Sequence, residues 1–132
     1  MITISSDHNA ARLEGSRVYI DTGANPAKLC FYGSTRVALT STPTTPPLST
    51  IELANPSGAV DATGYHLVAL DDGLNMSTGV ALWVRLYTRS GAAAVDFDVR
   101  ATTDPVEYGE IVLEQTTLFA GGVTRLVSAT LL

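Results

Sequence analysis

The sequence has a single cysteine, no long apolar run and no recognisable leader segment. Cys30 cannot form an intrachain disulfide and has no second cysteine for a zinc pattern, so we expect either a small buried filler or an interface residue. No apolar stretch approaches the roughly 20 residues of a membrane helix. The first residues, MITISSDHNA, lack the basic and apolar regions of a signal peptide. We therefore expect synthesis in a cytoplasm and no membrane partner.

Positive charge is also scarce. The chain of 132 residues has 8 Lys and Arg against 13 Asp and Glu, which gives a formal net charge of -5. No cluster of basic residues with interleaved aromatics offsets this balance, so nucleic acid is not an expected partner. Charged residues make up only 16% of the chain, which is sparse for a protein that stays a free monomer. Part of the surface is therefore expected to be covered by another protein.

Motifs for catalysis and for metal binding are missing from the sequence. His8 and His66 are isolated and belong to no HxH, HExxH or paired-cysteine pattern. Asp71 and Asp72 are adjacent in a DDG turn, where their side chains point apart and cap the turn. No GxSxG, GxxxxGK or GxGxxG motif occurs. We expect no enzyme activity, no cofactor and no metal site.

The chain consists mainly of short alternating runs separated by Gly, Pro, Asn and Asp, a pattern typical of all-β domains. The predicted strands are Ile2 to Ile4, Val18 to Asp21, Lys28 to Tyr32, Leu48 to Leu53, Tyr65 to Leu70, Val80 to Arg89, Ala94 to Arg100, Glu110 to Leu113 and Val123 to Leu131. The predicted turns are NPSG at 55–58, DDG at 71–73, RSG at 89–91 and AGG at 120–122. One short helix is expected at DHNAARLEG, with Asp7 as its N-cap and Gly15 as its stop.

These elements predict one domain covering residues 1–132, since the chain has the commonest size of a single domain. About eight or nine strands favour two packed sheets. The expected fold is an all-β, two-sheet β-sandwich with jelly-roll-like topology and at most one short helix near the N-terminus. No repeat with a period of about 20 to 50 residues is present, which excludes solenoids and propellers.

The segment STPTTPPLST, residues 41–50, stands out by composition. Its three prolines, Pro43, Pro46 and Pro47, remove backbone donors and favour extended backbone, so it is not a central strand. We interpret it as a long loop within the domain. The loop is either a simple connection or an arm that lies on a neighbouring subunit, since proline lowers the entropy lost on docking.

The run VALWVRLYTR, residues 80–89, alternates across a predicted strand. One face, which we expect in the core, carries Val80, Leu82, Val84 and Leu86. The other face carries Trp83, Arg85, Tyr87 and Arg89, although the outer face of a small domain normally meets water. This second face is the main candidate for function.

The following strand is predicted to form a hairpin with this run. Its core face is continued by Val95, Phe97 and Val99. Either of two registers places Arg85 opposite Asp96 or Asp98. We expect exposed ion pairs there, each contributing about 0.2 to 1 kcal/mol. The two aspartates share a face and could bind Ca²⁺, but their arginine neighbours favour pairing.

Three interpretations of the aromatic and arginine face remain open. A loop such as 41–50 could cover Trp83 and Tyr87. The face could be a protein interface, since aromatic residues and arginine are enriched there. It could also be a carbohydrate platform on which sugars stack, with Asp96 or Asp98 binding their hydroxyls. The candidate interface residues are Trp83, Arg85, Tyr87, Arg89, Pro43, Pro46 and Pro47.

Three stretches carry a family resemblance: VYIDTGANPAKLCFYG, GVALWVRLYTRSGAAAVDFDV and EIVLEQTTLFAGGVTRLVSATLL. Together they resemble the small jelly-roll cement, or capsid decoration, proteins of short-tailed, Bordetella-type bacteriophages. The resemblance implies a structural virion protein on the capsid exterior that bridges capsomers and stabilises the head. The implied partners are the major capsid protein and further copies of this chain, as a homodimer or homotrimer. The alternative is a carbohydrate-binding β-sandwich module associated with a phage tail or fibre.

Overall fold

The computed structural model describes residues 2–104 and 111–132. Within them the chain forms one helix and eleven strands. In chain order these are α1 Ser6–Ile20, β1 Lys28–Tyr32, β2 Ser49–Asp61, β3 Gly64–Ala69, β4 Gly73–Leu74, β5 Gly79–Val80, β6 Trp83–Tyr87, β7 Ala93–Ala101, β8 Ile111–Leu113, β9 Thr117–Leu118, β10 Val123–Thr124 and β11 Leu126–Leu131. No helix in the described ranges is long and apolar enough to cross a membrane.

Seven of the strands close into a barrel in the order β1-β2-β3-β11-β8-β7-β6, with β6 returning to β1. The neighbours are antiparallel except β7 and β8, which are parallel. The predicted two-sheet jelly-roll sandwich is therefore wrong. Alternating residues show which face of each strand is apolar, but the same pattern serves a sandwich and a barrel. Whether a sheet closes depends on its tilt and stagger.

The barrel interior is the apolar core. It is filled from the inward faces of the strands, chiefly by Leu29, Phe31, Ile51, Leu53, Val84, Leu86, Phe97, Ile111, Leu113 and Ala129. Val95 and Val99 are half-buried and pack against this cluster, so the predicted inward face of β7 is confirmed. Val80 and Leu82 are exposed, which contradicts their predicted place in the core. The barrel strand β6 begins only at Trp83, because the chain before it pairs with β9 instead.

The helix α1 is longer than predicted. Its N-cap is Ser5, whose side chain accepts from the His8 N–H at 3.1 Å, and not Asp7. The helix continues through Gly15 to Ile20, so the predicted stop and the predicted strand at Val18 to Asp21 are both wrong. Leu13 and Ile20, seven residues apart, lie on the same helix face and are buried. Burying such side chains gives about 1.5 to 3 kcal/mol each, more than the roughly 1 kcal/mol that an internal glycine costs.

Residues 55–58, predicted as a turn, instead lie inside β2. The register between β2 and β3 shifts between Leu53 and Gly58, so the strand bulges there. The bulge is held by side chains: the Ser57 N–H donates to Asp21 Oδ1 at 3.0 Å, and the Ser57 hydroxyl bonds to that of Tyr65. Glycine and proline signals therefore marked an irregular strand and not a chain reversal.

The other predicted elements have mixed outcomes. β1 coincides with its prediction, while Ile2 to Ile4 form no strand. The predicted strand Val123 to Leu131 is divided into β10 and β11. The turns at 89–91 and 120–122 are present, and of the predicted turn 71–73, residue 71 lies in a bend and residue 73 begins β4. Glu110 of the predicted strand Glu110 to Leu113 lies outside the described residues, and the remainder is β8.

Candidate interaction surface

The predicted aromatic and arginine face of β6 is covered by a loop of the same chain. We call residues 33–47, between β1 and β2, the strap. The Trp83 Nε1–H donates to the Ser34 carbonyl of the strap at 2.9 Å, and Val37 packs against the same aromatic cluster. Tyr32 stacks on Trp83 with 4.6 Å between ring centroids. Trp83 is consequently only 1% exposed.

Arg85 holds the middle of the strap. Its Nε and Nη2 donate to both oxygens of the Asp96 carboxylate at 2.7 and 3.0 Å. Its Nη1 donates to the Ser41 carbonyl at 2.7 Å and its Nη2 to the Ala38 carbonyl at 3.1 Å. The Arg85 side chain is 2% exposed, so the pair is buried and the expectation of an exposed pair is wrong. The hydrogen bonds to Asp96 raise the pKa of Arg85.

The predicted hairpin is confirmed, and of its two possible registers the structure has the one in which Arg85 lies opposite Asp96. Asp98 is engaged by a second arginine: Arg36 of the strap donates to its carboxylate at 3.0 Å and to the Asp96 carbonyl at 3.0 Å. Both aspartates are therefore paired with arginine. Among residues 2–104 and 111–132, no group of three or more His, Cys, Asp or Glu side chains is placed to hold a metal ion.

Tyr87 and Arg89 lie at the end of this face. The Tyr87 hydroxyl is 3.3 Å from that of Tyr32, and burial together with this contact raises the pKa of Tyr32. Arg89 Nε donates to the Gly23 carbonyl at 3.3 Å. Gly23 has φ 139°. A Cβ there would lie 2.2 Å from the Arg89 carbonyl carbon, so this close approach needs glycine.

The three candidate prolines are all in the strap. Pro43 and Pro47 are half-buried, and Pro46 is exposed. Only the outer surface of the strap is thus open to a partner, while Trp83 and Arg85 lie beneath it. These contacts match the interpretation in which a loop covers the face, but the covering residues are 34–41 and, of the predicted loop 41–50, only Ser41 takes part. A sugar ring could stack on Trp83 only after displacing the strap.

A second surface, which sequence reasoning missed, lies beside the strap. Two segments, 73–82 and 116–124, run antiparallel and form what we call the ribbon. β4 pairs with β10 at one end, and β5 pairs with β9 at the other. Between them the Asn75 N–H donates to Gly122 and the Asn75 carbonyl accepts from Gly121, both at 2.9 Å. At the far end the Ala81 N–H donates to the Thr116 carbonyl at 2.8 Å.

The ribbon is apolar on its outer side. Gly73, Asn75 and Ala81 are buried, while the residues that alternate with them are exposed. Leu74 and Val123 lie directly opposite each other and are 57% and 53% exposed. The exposed apolar residues of the ribbon are Leu74, Met76, Val80, Leu82, Phe119 and Val123. A strand normally turns its apolar face inward, so an outward apolar side of this size is unusual.

Among the described residues, the charged side chains that line the clefts beside the ribbon lie along one of its long sides. A cleft of about 210 Å³ is lined by Phe119 and Val123 together with Glu114 and Arg125. Arg125 Nε lies 3.3 Å from the Asp72 carboxylate, and its Nη1 lies 3.7 Å from that of Glu114. A neighbouring cleft of about 290 Å³ contains Glu114 as well as Asp104 and ribbon residues 116 and 117.

The other long side of the ribbon meets the strap. A cleft of about 300 Å³ there is lined by ribbon residues 77–80, by Leu48, and by Gly33, Ser34, Thr45 and Pro46. Its lining contains no charged side chain among the described residues. Pro46, one of the predicted interface residues, therefore lines the same cleft as ribbon residues 77–80.

Sequence reasoning missed the ribbon because its strands are only two residues long. The available signal was the even spacing of Leu74, Met76, Val80 and Leu82. That spacing identifies a common face, but it does not distinguish a face turned to the core from one turned outward.

A polar cluster around His66 joins the β2–β3 turn to β11. His66 Nε2 is 3.1 Å from Asp61 Oδ1, and its Nδ1 is 3.2 Å from the Thr130 hydroxyl. Thr63 donates to the same Asp61 oxygen from its hydroxyl at 2.6 Å and its N–H at 2.7 Å. These hydrogen bonds, chiefly those from Thr63, lower the pKa of Asp61 to about 2. His8 lies in the exposed first turn of α1 and does not join this cluster.

Comparison of the chain with protein-family models, curated proteins and solved structures finds no significant match.

Proposed function

We propose that this chain is a structural virion protein that coats the outside of a tailed-phage capsid, contacts the major capsid protein and stabilises the head. The observation that carries the proposal is the outward apolar side of the ribbon. The family resemblance of the sequence supplies the identity of the partner. The low content of charged residues, 16%, also suits a protein whose surface is partly covered in an assembly.

The closed barrel limits how such a protein can associate. Each barrel strand pairs with two neighbours, which leaves few free strand edges among the described residues. The proposed contacts are therefore made mainly by side chains. Modest side-chain contacts are sufficient on a symmetric shell, because a copy that touches several neighbours gains effective concentration for each further contact.

The test is sedimentation of the purified protein with phage heads stripped of their small surface proteins. We expect saturable co-sedimentation and a higher melting temperature of the loaded heads, since a ligand that binds only the assembled state stabilises it. Heads that retain their own small surface proteins are the control and should take up little. A protein that ignores stripped heads, but whose Trp83 fluorescence responds to glycans, would contradict the proposal and support a carbohydrate-binding module.

A further inference from the structure

We propose that the ribbon is the surface that docks, and that its partner is an apolar protein surface bordered on one side by lysine and arginine. The inference rests on the proposed function and specifies the contact by which the chain would bind the shell. The ribbon has six exposed apolar side chains. Phe119 has the largest of these side chains and is 61% exposed.

Charge complementarity defines the partner. Three carboxylates, those of Asp72, Asp104 and Glu114, border the ribbon on the side of β8 and β11, with Arg125 as the cation among the described residues there. Arg125 is already bonded to Asp72 and Glu114, so the border keeps an excess of negative charge. In the described part of the chain, the cleft on the strap side has no charged lining residue. A partner with basic residues on one side only would therefore bind in one orientation.

A second copy of this chain does not fit the ribbon as well. In a two-fold contact the same patch meets itself, so the carboxylate border of one copy meets either the carboxylate border or the uncharged strap side of the other, and neither supplies a basic partner. Size argues the same way, because ten strand residues span roughly 30 Å and two strands roughly 10 Å, a footprint of roughly 300 Å². A stable pair needs roughly 800 Å² on each partner. The ribbon therefore suits a surface on which many copies bind side by side.

The experiment measures the affinity of ribbon variants for the stripped heads. Phe119→Ser should weaken binding about tenfold or more, since an exposed anchor is lost. The matched control is Tyr19→Ser, because Tyr19 is an aromatic residue 57% exposed on α1 and lines none of these clefts. We expect it to bind like the unchanged protein. If Phe119→Ser does not fold, Val123→Thr keeps the shape of the side chain and should weaken binding in the same direction.

The charged border is tested separately. Glu114→Lys should weaken binding about fivefold at low salt and reduce its salt dependence. Asp7→Lys on α1 makes the same change in charge away from the ribbon and is its control. If the heads bind the unchanged protein but bind Phe119→Ser and Tyr19→Ser equally well, the ribbon is not the docking surface. The proposed function is unaffected by that result. Tighter binding by Glu114→Lys would overturn the proposal that the partner is basic. A dimer of the unchanged protein that Phe119→Ser abolishes would overturn it as well. No binding by the unchanged protein would contradict the function itself.

Discussion

At the scale of single residues, the arginine at the centre of β6 has the greatest structural consequence. Arg85 is buried with Asp96 and also binds two strap carbonyls, so it uses most of its donors within the chain. The sequence placed it correctly opposite an aspartate. It did not reveal the strap carbonyls, because a loop of fifteen residues has no periodicity that specifies where it lies.

Removing this arginine should destabilise the protein strongly. Arg85→Met leaves the buried Asp96 carboxylate without its partner and frees two strap carbonyls, so we expect a loss of about 3 to 5 kcal/mol in the free energy of unfolding. Urea denaturation measures the loss. The double variant Arg85→Met/Asp96→Leu removes both charges and should recover part of it. A single variant as stable as the unchanged protein would contradict the buried pair.

The Asp61 carboxylate should make stability depend on acid. Its pKa in the folded protein is about 2 because Thr63 and His66 bond to its charged form, below the value of about 3.9 in an unfolded chain. A depressed folded pKa gives stability that is present above the unfolded pKa and is lost as the pH falls towards the folded pKa. Asp61→Asn should therefore be less stable than the unchanged protein at about pH 5, and the difference should shrink as the pH falls and vanish below about pH 2. A difference that persists at the lower pH would exclude this carboxylate as its source.

At the scale of elements, strand faces were predicted better than helix ends or chain paths. The alternation of β6 and β7 correctly placed Val84, Leu86 and Phe97 in the core and limited the hairpin to two registers, one of which is observed. The predicted end of helix α1 at Gly15 is five residues too early, because glycine is common just after helix ends. The actual end is determined by tertiary burial of Ile20, which local sequence does not show.

Gly15 offers a direct test of that helix. It lies inside α1, and a Cβ added there would meet nothing within 4 Å. Gly15→Ala should therefore stabilise the protein by about 0.5 to 1 kcal/mol, since alanine loses less conformational entropy in a helix. Thermal denaturation followed by circular dichroism measures the change. An unchanged or lower melting temperature would indicate that the helix does not extend through residue 15 in solution.

At the scale of the whole molecule, closure of the barrel was the feature that the sequence could not supply. A sandwich and a barrel use the same inward residues, and they differ in which strands are neighbours. Here β1 pairs with β6, although about fifty residues separate them in the chain. The apolar ribbon was not predicted for a related reason. Which of its two faces points to the core and which to the outside depends on how the barrel closes.

The closed barrel and the strap should unfold together. Trp83 is the one tryptophan of the sequence and lies between the barrel wall and the strap, so its fluorescence reports whether the strap is seated. Release of the strap breaks the hydrogen bonds of Trp83 and Arg85 to three strap carbonyls and exposes the Trp83 ring, which makes a separate early step costly. We expect the fluorescence and far-ultraviolet dichroism transitions in urea to coincide.

The control is a variant that weakens the attachment of the strap. Ser34→Pro is unsuitable, because Trp83 bonds to the backbone carbonyl of residue 34, which proline retains. Arg36→Ala is suitable, because it removes only the exposed contacts to Asp98 and to the Asp96 carbonyl. It should lower the free energy of unfolding by less than about 1 kcal/mol and shift both transitions equally. A fluorescence change that precedes the dichroism change in the unchanged protein would show that the strap opens independently of the barrel.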